Sequence, residues 1–158
     1  MKFHSTMEHR TDAAKLRARK EHHLTITYRY HKLSQYHMKL AMIFYDHSLP
    51  RSSLILCDWA LTAMLNALYI KKNNMLAPKR FFPMEDLLHL LHSETSPALD
   101  VVIFIGTIQY LASDMEREQV SKMKKKNVNR LLRRTDEILY LLSTKITDDP
   151  SKLYQSIF

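Results

Sequence analysis

The sequence predicts an all-α protein, an up-and-down bundle of about five helices. The 158-residue chain contains a single glycine, Gly106, whereas sheet proteins need glycine in turns and bulges, where it enters positive φ without strain. The five prolines lie between apolar segments and not inside them. Within those segments apolar residues recur every three or four positions, which is the period of a helix.

The first predicted element is a long helix from Thr11 or Asp12 to about His47. Residues 1–10 are polar and are expected to form a flexible tail, and residues 11–158 are expected to fold as one helical domain. Three-and-four spacing predicts that the buried face of this helix consists of Leu33, Tyr36, Leu40, Ile43, Phe44 and His47.

The second predicted helix is the centre of the fold. Pro50 suits its first position, where the missing N–H has no helical partner in any case. Asn73 and Asn74 are expected to end it, since asparagine tolerates the left-handed conformation. The helix is apolar nearly all round, and Asp58 and Asn66 interrupt it, so we expect a core helix and not a membrane span.

Three further helices are predicted in the second half of the chain. Pro83 opens a short third helix with acidic residues in its first turn, and a fourth begins at 95–97. Residues 113–116 have the S-x-x-E form of a capping box, so a fifth helix is expected from there to about Ile146. A continuous helix through residue 113 is the alternative.

Two single residues carry further expectations. Gly106 lies inside the fourth helix, where glycine costs about 1 kcal/mol relative to alanine, so a tight helix crossing is expected there. Cys57 is the only cysteine, which excludes an internal disulfide and is typical of a reducing compartment. The first residues lack the apolar stretch of a secretory signal, and a cytoplasmic location is expected.

The formal net charge of +8 favours an acidic partner. The basic excess lies on the first and last long helices, which would form one basic surface if they pack side by side. On the fifth helix one face carries Lys122, Lys126, Arg130 and Arg133. Such a stripe can neutralise nucleic-acid phosphates. The alternative is a solvated outer face that is partly balanced by Glu116, Glu118, Asp136 and Glu137.

A polar line runs along the central helix. Asp58, Thr62 and Asn66 are each four residues apart, so they lie on one side of it. Polar groups in so apolar a helix need partners or a cavity. They predict either a ligand pocket or an internal hydrogen-bond network with His31 or His37, and the network is the favoured interpretation.

The sequence predicts no metal site and no cofactor. His89 and His92 lie one turn apart on the third helix, but two histidines without further ligands do not complete a metal site. The chain also lacks a glycine-rich phosphate loop and a nucleophile elbow.

The order of elements over residues 30–146 resembles the HEPN superfamily of small helical bundles. The resemblance is carried by a long first helix (residues 36–45), a Leu-Pro step at 49–50, an alanine-rich second helix and a Leu-Leu-His-Leu-Leu segment at 87–91. It implies a helical bundle whose members often pair as dimers.

Members of that superfamily that cleave RNA carry arginine, then four to six intervening residues, then histidine on a late helix. Arg130 fits the arginine position, but Thr135 stands where the shortest form of the motif has histidine, and the sequence has no histidine after it. The resemblance therefore implies a non-catalytic relative that binds a partner, a nucleotide or RNA. The spacing does occur at Arg17 and His22, so an RNA-cleaving toxin that uses these residues, with Asp58 nearby, is one alternative.

The leading expectation is a non-enzymatic, homodimeric binding module. Its basic face would contact RNA, DNA or an acidic protein, with no role at a membrane. A small-ligand-sensing bundle with the polar pocket described above is a further alternative.

Overall fold

The computed structural model describes residues 3–74, 77–92 and 98–158, without the side chains of residues 3–8 and 98. All regular structure within these ranges is helical, which confirms the all-α class, and the expected start of the fourth helix at 95–97 lies outside them. The elements are α1 (Phe3–Asp46), α2 (Pro50–Asn73), α3 (Met84–Leu91), α4 (Ala98–Ser113), α5 (Arg117–Ser121), α6 (Lys125–Ser143) and a short 3₁₀ turn (Pro150–Lys152).

α2 is the central element, because α1, α4, α5 and α6 all pack against it. It begins at Pro50 and ends at Asn73, and the capping residue Asn74 adopts the left-handed conformation with φ of 50°, as predicted. Its length and hydropathy would suffice to cross a membrane, but 72% of its most apolar window is buried inside the molecule, as in a core helix. α3 follows Pro83 as predicted and packs against α4.

α1 begins earlier than predicted and extends beyond the other helices. It is helical from Phe3, so most of the expected flexible tail is helix, because neither proline nor glycine interrupts the chain before Asp46. Its 44 residues correspond to a length of about 66 Å. All side chains from 9 to 22 are exposed, so this half of α1 makes little contact with the core.

α1 buries a different face from the predicted one. Four of the six predicted core residues are exposed, namely Leu33, Tyr36, Ile43 and His47, and the other two, Leu40 and Phe44, are half-buried. The face that packs on α2 consists of Thr27, His31, Ser34, Met38 and Ala41. Ser34 donates a hydrogen bond of 2.7 Å to the carbonyl of Ala60, and small side chains there let the two helix backbones approach closely.

The predicted fifth helix is wrong, because the chain forms two helices there, α5 and α6, separated by the turn at 122–124. Ser113 does not cap a helix. It is the last residue of α4, and its hydroxyl donates to the carbonyl of Gln109, four residues earlier, at 2.5 Å. Glu116 takes the N-cap position of α5 without a side-chain capping bond.

The last residues form an extended segment between α1 and α6. The side-chain amide of Gln35 donates to the carbonyl of Gln155 at 2.8 Å and accepts from its N–H at 2.7 Å. On the α6 side, the buried Asp136 carboxylate accepts hydrogen bonds from the Tyr154 hydroxyl at 2.6 Å and the Ile157 N–H at 3.1 Å. Together these contacts fix the C-terminal segment along both helices.

Candidate basic surface and polar cleft

Three of the predicted basic residues share one exposed face of α6. Lys126, Arg130 and Arg133 are spaced by four and three residues inside the helix, and their side chains are exposed. Lys122 occupies the C-cap of α5. The helical stripe therefore begins at Lys126, and Lys122 lies on the turn that leads into it. We call these four residues the α6 basic surface.

Two of the four carboxylates expected to balance this surface, Asp136 and Glu137, do not face it freely, whereas Glu116 and Glu118 at α5 are exposed. Asp136 is only 3% exposed and points towards the C-terminal segment, where it is held by Tyr154. Glu137 forms an ion pair with Arg134 at 3.1 Å, and Arg134 also pairs with Asp100 of α4. The acidic groups of α6 are thus used inside the fold or by Arg134.

The cations of the α6 basic surface remain available to a ligand. Within the described residues, neither Lys126 nor Arg130 forms an ion pair. Arg133 is oriented by its neighbours: its Nε donates to the Asn129 side chain at 2.9 Å, and its guanidinium lies 4.4 Å from the centre of the Phe158 ring. The C-terminal residue therefore supports one member of the surface directly.

α1 and α6 are in contact, as the predicted common basic surface requires. A cleft of about 420 Å³ lies between α1 and the C-terminal segment, with Lys32 and Lys152 in its lining. The ammonium of Lys152 lies 4.9 Å from the centre of the Tyr28 ring. These lysines add positive charge beside the same C-terminal segment that Arg133 contacts.

The three residues of the polar line have separate roles. Asn66 is 2% exposed and clamps the loop after α2, because its side chain accepts from the Lys79 N–H and donates to the Lys79 carbonyl, both at 2.7 Å. Asp58 and Thr62 are half-buried and line a cleft of about 320 Å³ between α1, α2 and that loop. Asn66 is therefore structural, but its partner is the backbone of this loop and not His31 or His37, which the network interpretation named.

Asp58 does not join such a network. Its carboxylate has no hydrogen bond or ion pair within the described part of the chain, and burial raises its pKa from 3.8 to about 6. The expected histidine partners do not reach it: among described residues, the buried Nε2 of His31 and Nδ1 of His37 are without partners. Burial lowers the pKa of both histidines, so both are mainly neutral at pH 7.

The cleft has aromatic surroundings that the sequence analysis missed. Trp59, 54% exposed, follows Asp58 and lines the cleft with Tyr30 and Leu33. His37 meets the Trp59 ring edge-on at a centroid distance of 5.6 Å. The available signal was Trp59 itself, since an amphipathic aromatic side chain in a helix is often part of a binding surface.

The residues of the nuclease alternative do not form a common site. Arg17 and His22 are both exposed on the projecting half of α1, and Asp58 lies in the cleft beside Tyr30. The structure thus does not bring Asp58 together with Arg17 and His22 within one chain.

No group of three potential metal ligands comes together in the described residues, and His89 and His92 have no third partner there. Cys57 is buried, and burial raises the pKa of its thiol to about 12. That thiol is therefore neutral at physiological pH.

Comparison with known proteins gives no relative from which a function could be transferred. No protein-family model, no curated protein and no solved structure matches the chain. The function of this helical protein therefore has to be argued from its own geometry.

Proposed function

We propose that the chain is a non-enzymatic helical binding module whose α6 basic surface contacts the phosphate backbone of nucleic acid. A HEPN-like, non-catalytic bundle is the fold family that this proposal implies. Phosphate contacts need exposed cations on a rigid support and no base-specific geometry. α6 supplies such a support, because one side of it is buried in the core.

The observation that carries the proposal is the separation of charge across α6. Lys126 and Arg130 point outwards without ion pairs among the described residues, whereas the Asp136 carboxylate on the same helix points inwards. A solvated face of ordinary composition would carry mixed charge. Here Asp136 points inwards and Glu137 is paired with Arg134, so the part of α6 that carries Lys126 and Arg130 keeps an excess of positive charge and favours an anionic ligand.

The experiment compares two charge reversals of equal size. Binding of labelled single-stranded RNA and duplex DNA is measured at about 50 mM salt, where phosphate contacts are strong. We expect Lys126→Glu/Arg130→Glu to weaken binding by about tenfold or more. The matched control, Arg17→Glu/Lys20→Glu, changes the net charge equally on the projecting half of α1, and we expect a smaller loss.

Two outcomes would overturn the proposal. An equal loss in both variants would show that net charge, and not the α6 basic surface, determines binding. Absence of binding to either nucleic acid at low salt would leave an acidic protein as the partner of this surface. Circular dichroism of both variants verifies that the helices are intact.

We further propose that the module is a homodimer joined through the outer face of α1. Leu33, Tyr36 and Ile43 lie on that face with exposed fractions of 40%, 57% and 51%, and the half-buried Leu40 completes a four-and-three spacing. Such spacing is that of a coiled-coil seam, which a helix of the same period covers. A second copy of α1 carries the same spacing and can therefore cover this face.

In such a dimer the exposed apolar side chains of one α1 would pack between those of the other along this face. Sedimentation velocity tests this. We expect a dimer for the unmodified chain and a monomer for Ile43→Glu, with Lys126→Glu as a dimeric control; a monomeric unmodified chain would refute it.

A further inference from the structure

A second ligand site, separate from the α6 basic surface, follows from the cleft around Asp58. We propose that this cleft binds an organic cation, an ammonium or guanidinium group on an apolar stem, with the Asp58 carboxylate as its counter-ion. Tyr30, Leu33 and Trp59 would surround the stem and the charged head.

The unpartnered carboxylate is the first step of the argument. Asp58 is half-buried and lacks a hydrogen bond or ion pair with the described residues. A carboxylate removed from water without a partner destabilises the fold, and a cation at hydrogen-bond distance would remove that penalty. The cleft of about 320 Å³ gives such a cation direct access from solvent.

The lining of the cleft selects the kind of cation. Aromatic rings attract ammonium and guanidinium groups through their π faces, and Tyr30 and Trp59 both line the cleft. Leu33 and Ala63 add apolar surface that a hydrated inorganic ion would not use. An amine or guanidine with an aliphatic stem satisfies both parts of the lining.

Neither of the two cations that line the cleft, Lys79 and Arg80, is paired with the Asp58 carboxylate. Lys79 lines the cleft, but its ammonium is held 2.6 Å from the Asp86 carboxylate and lies over the Tyr69 and Phe82 rings. Arg80, on the same loop, is exposed at the rim and has no ion pair within the described residues. Removal of Arg80 therefore tests whether the chain supplies its own cation.

Trp59 gives the experiment a direct readout, because it is the only tryptophan of the chain. Its fluorescence is followed during titration with n-butylammonium chloride and with N-acetylarginine amide, and n-butanol serves as the neutral probe of similar size. We expect saturable binding of one or both cations, with a dissociation constant below about 10 mM, and none of butanol. Tighter binding of the amine indicates a small polyamine as the source, and tighter binding of the guanidine indicates an arginine side chain of a partner.

Charge-neutralising variants assign the effect to Asp58. Asp58→Asn is expected to weaken cation binding by about tenfold or more, whereas Asp46→Asn, which removes an exposed carboxylate outside this cleft, leaves it unchanged. Arg80→Ala is expected to retain or strengthen binding. Equal affinity in Asp58→Asn and the unmodified chain would overturn the proposal, and so would loss of binding in Arg80→Ala or saturation by butanol.

The pH dependence gives a second test. The other titratable groups that line the cleft are Tyr30 from α1 and Lys79 and Arg80 from the loop. His37 contacts the Trp59 ring, and burial lowers the pKa of this histidine. We expect binding to weaken as the pH falls through about 6, with the same midpoint in His37→Gln. A midpoint that disappears in His37→Gln would assign the pH effect to the histidine and contradict the proposed counter-ion.

Discussion

Replacement of Asp58 by asparagine is expected to stabilise the fold near neutral pH. Burial raises the pKa of Asp58 from 3.8 to about 6, a difference of roughly two pH units. Each unit corresponds to about 1.36 kcal/mol, which gives an upper limit of about 3 kcal/mol. Solvent in the open cleft screens part of this, so we expect Asp58→Asn to raise the free energy of unfolding by about 1–2 kcal/mol at pH 7.5.

The stabilisation by Asp58→Asn should increase as the pH rises. The folded-state pKa of Asp58 lies above its unfolded value, so the folded protein holds the proton more tightly between pH 4 and 6. The stability of the unmodified chain therefore falls as the pH rises through this interval, and the advantage of Asp58→Asn grows with it and then levels off.

Urea unfolding at pH 4, 5, 6 and 7.5 measures this difference, with Asp46→Asn as the exposed-carboxylate control. Asp58→Asn should match the unmodified chain at pH 4 and exceed it at pH 7.5. A loss of stability of about 1 kcal/mol or more at pH 7.5 would refute the reasoning, because it would mean that the carboxylate has a stabilising partner.

Three further predictions concern the fold around the two sites. Asp136→Asn should lower the free energy of unfolding by about 1–3 kcal/mol, because the amide group that replaces Oδ2 cannot accept the hydrogen bond of the Ser156 hydroxyl, and the bonds from Tyr154 and Ile157 to the remaining oxygen lose their charge assistance; a thermal shift near zero would contradict this. Gly106→Ala should raise the free energy of unfolding by about 0.5–1 kcal/mol, since the only described atom that a new Cβ would meet is the flexible Met84 Cε at 3.4 Å. A lower stability in urea would instead indicate that the helices cross tightly at Gly106, as the sequence predicted. Cys57 should react with a thiol reagent only after unfolding, because the native thiol is buried with its pKa near 12; rapid reaction of the folded protein would disprove its burial.

The sequence predicted those helix ends that local chemistry determines. Pro50 and Asn74 delimit α2 because φ preference acts within one or two residues, and Pro83 marks the start of α3 for the same reason. Ser113 was misassigned because a serine hydroxyl can make either of two local hydrogen bonds. It can accept from a backbone N–H of a following helix, as a cap, or donate to a carbonyl one turn earlier, and here it donates to the carbonyl of Gln109 inside α4.

The buried face of α1 and the C-terminal segment depend on distant residues. α1 carries two stripes of helical period, and the sequence analysis chose the one with larger apolar side chains. The structure buries Ser34 and Ala41 instead, because hydrogen bonds to and from α2 satisfy that face. The bonds between Gln35 and Gln155 join positions 120 residues apart, so spacing within one helix could not reveal them.

The candidate sites likewise have some features that the local sequence determines and others that depend on distant residues. Periodicity placed Lys126, Arg130 and Arg133 on one face, since that depends on the helix alone. It could not show that Asp136 turns inwards, because that orientation is fixed by the C-terminal segment. The polar line was located correctly, but only the packed loop distinguishes the structural Asn66 from the unpartnered Asp58.

The salt dependence of nucleic-acid binding tests the central proposal most directly. Because cations that neutralise phosphates release counter-ions, the logarithm of the affinity should fall linearly with the logarithm of the salt concentration. Replacement of Lys126 by alanine should reduce that slope by about 1 and leave the affinity equally weakened for every nucleic-acid sequence tested. A slope that is unchanged by Lys126→Ala and Arg130→Ala, or an affinity independent of salt, would contradict the assignment of the α6 basic surface as a phosphate-binding face.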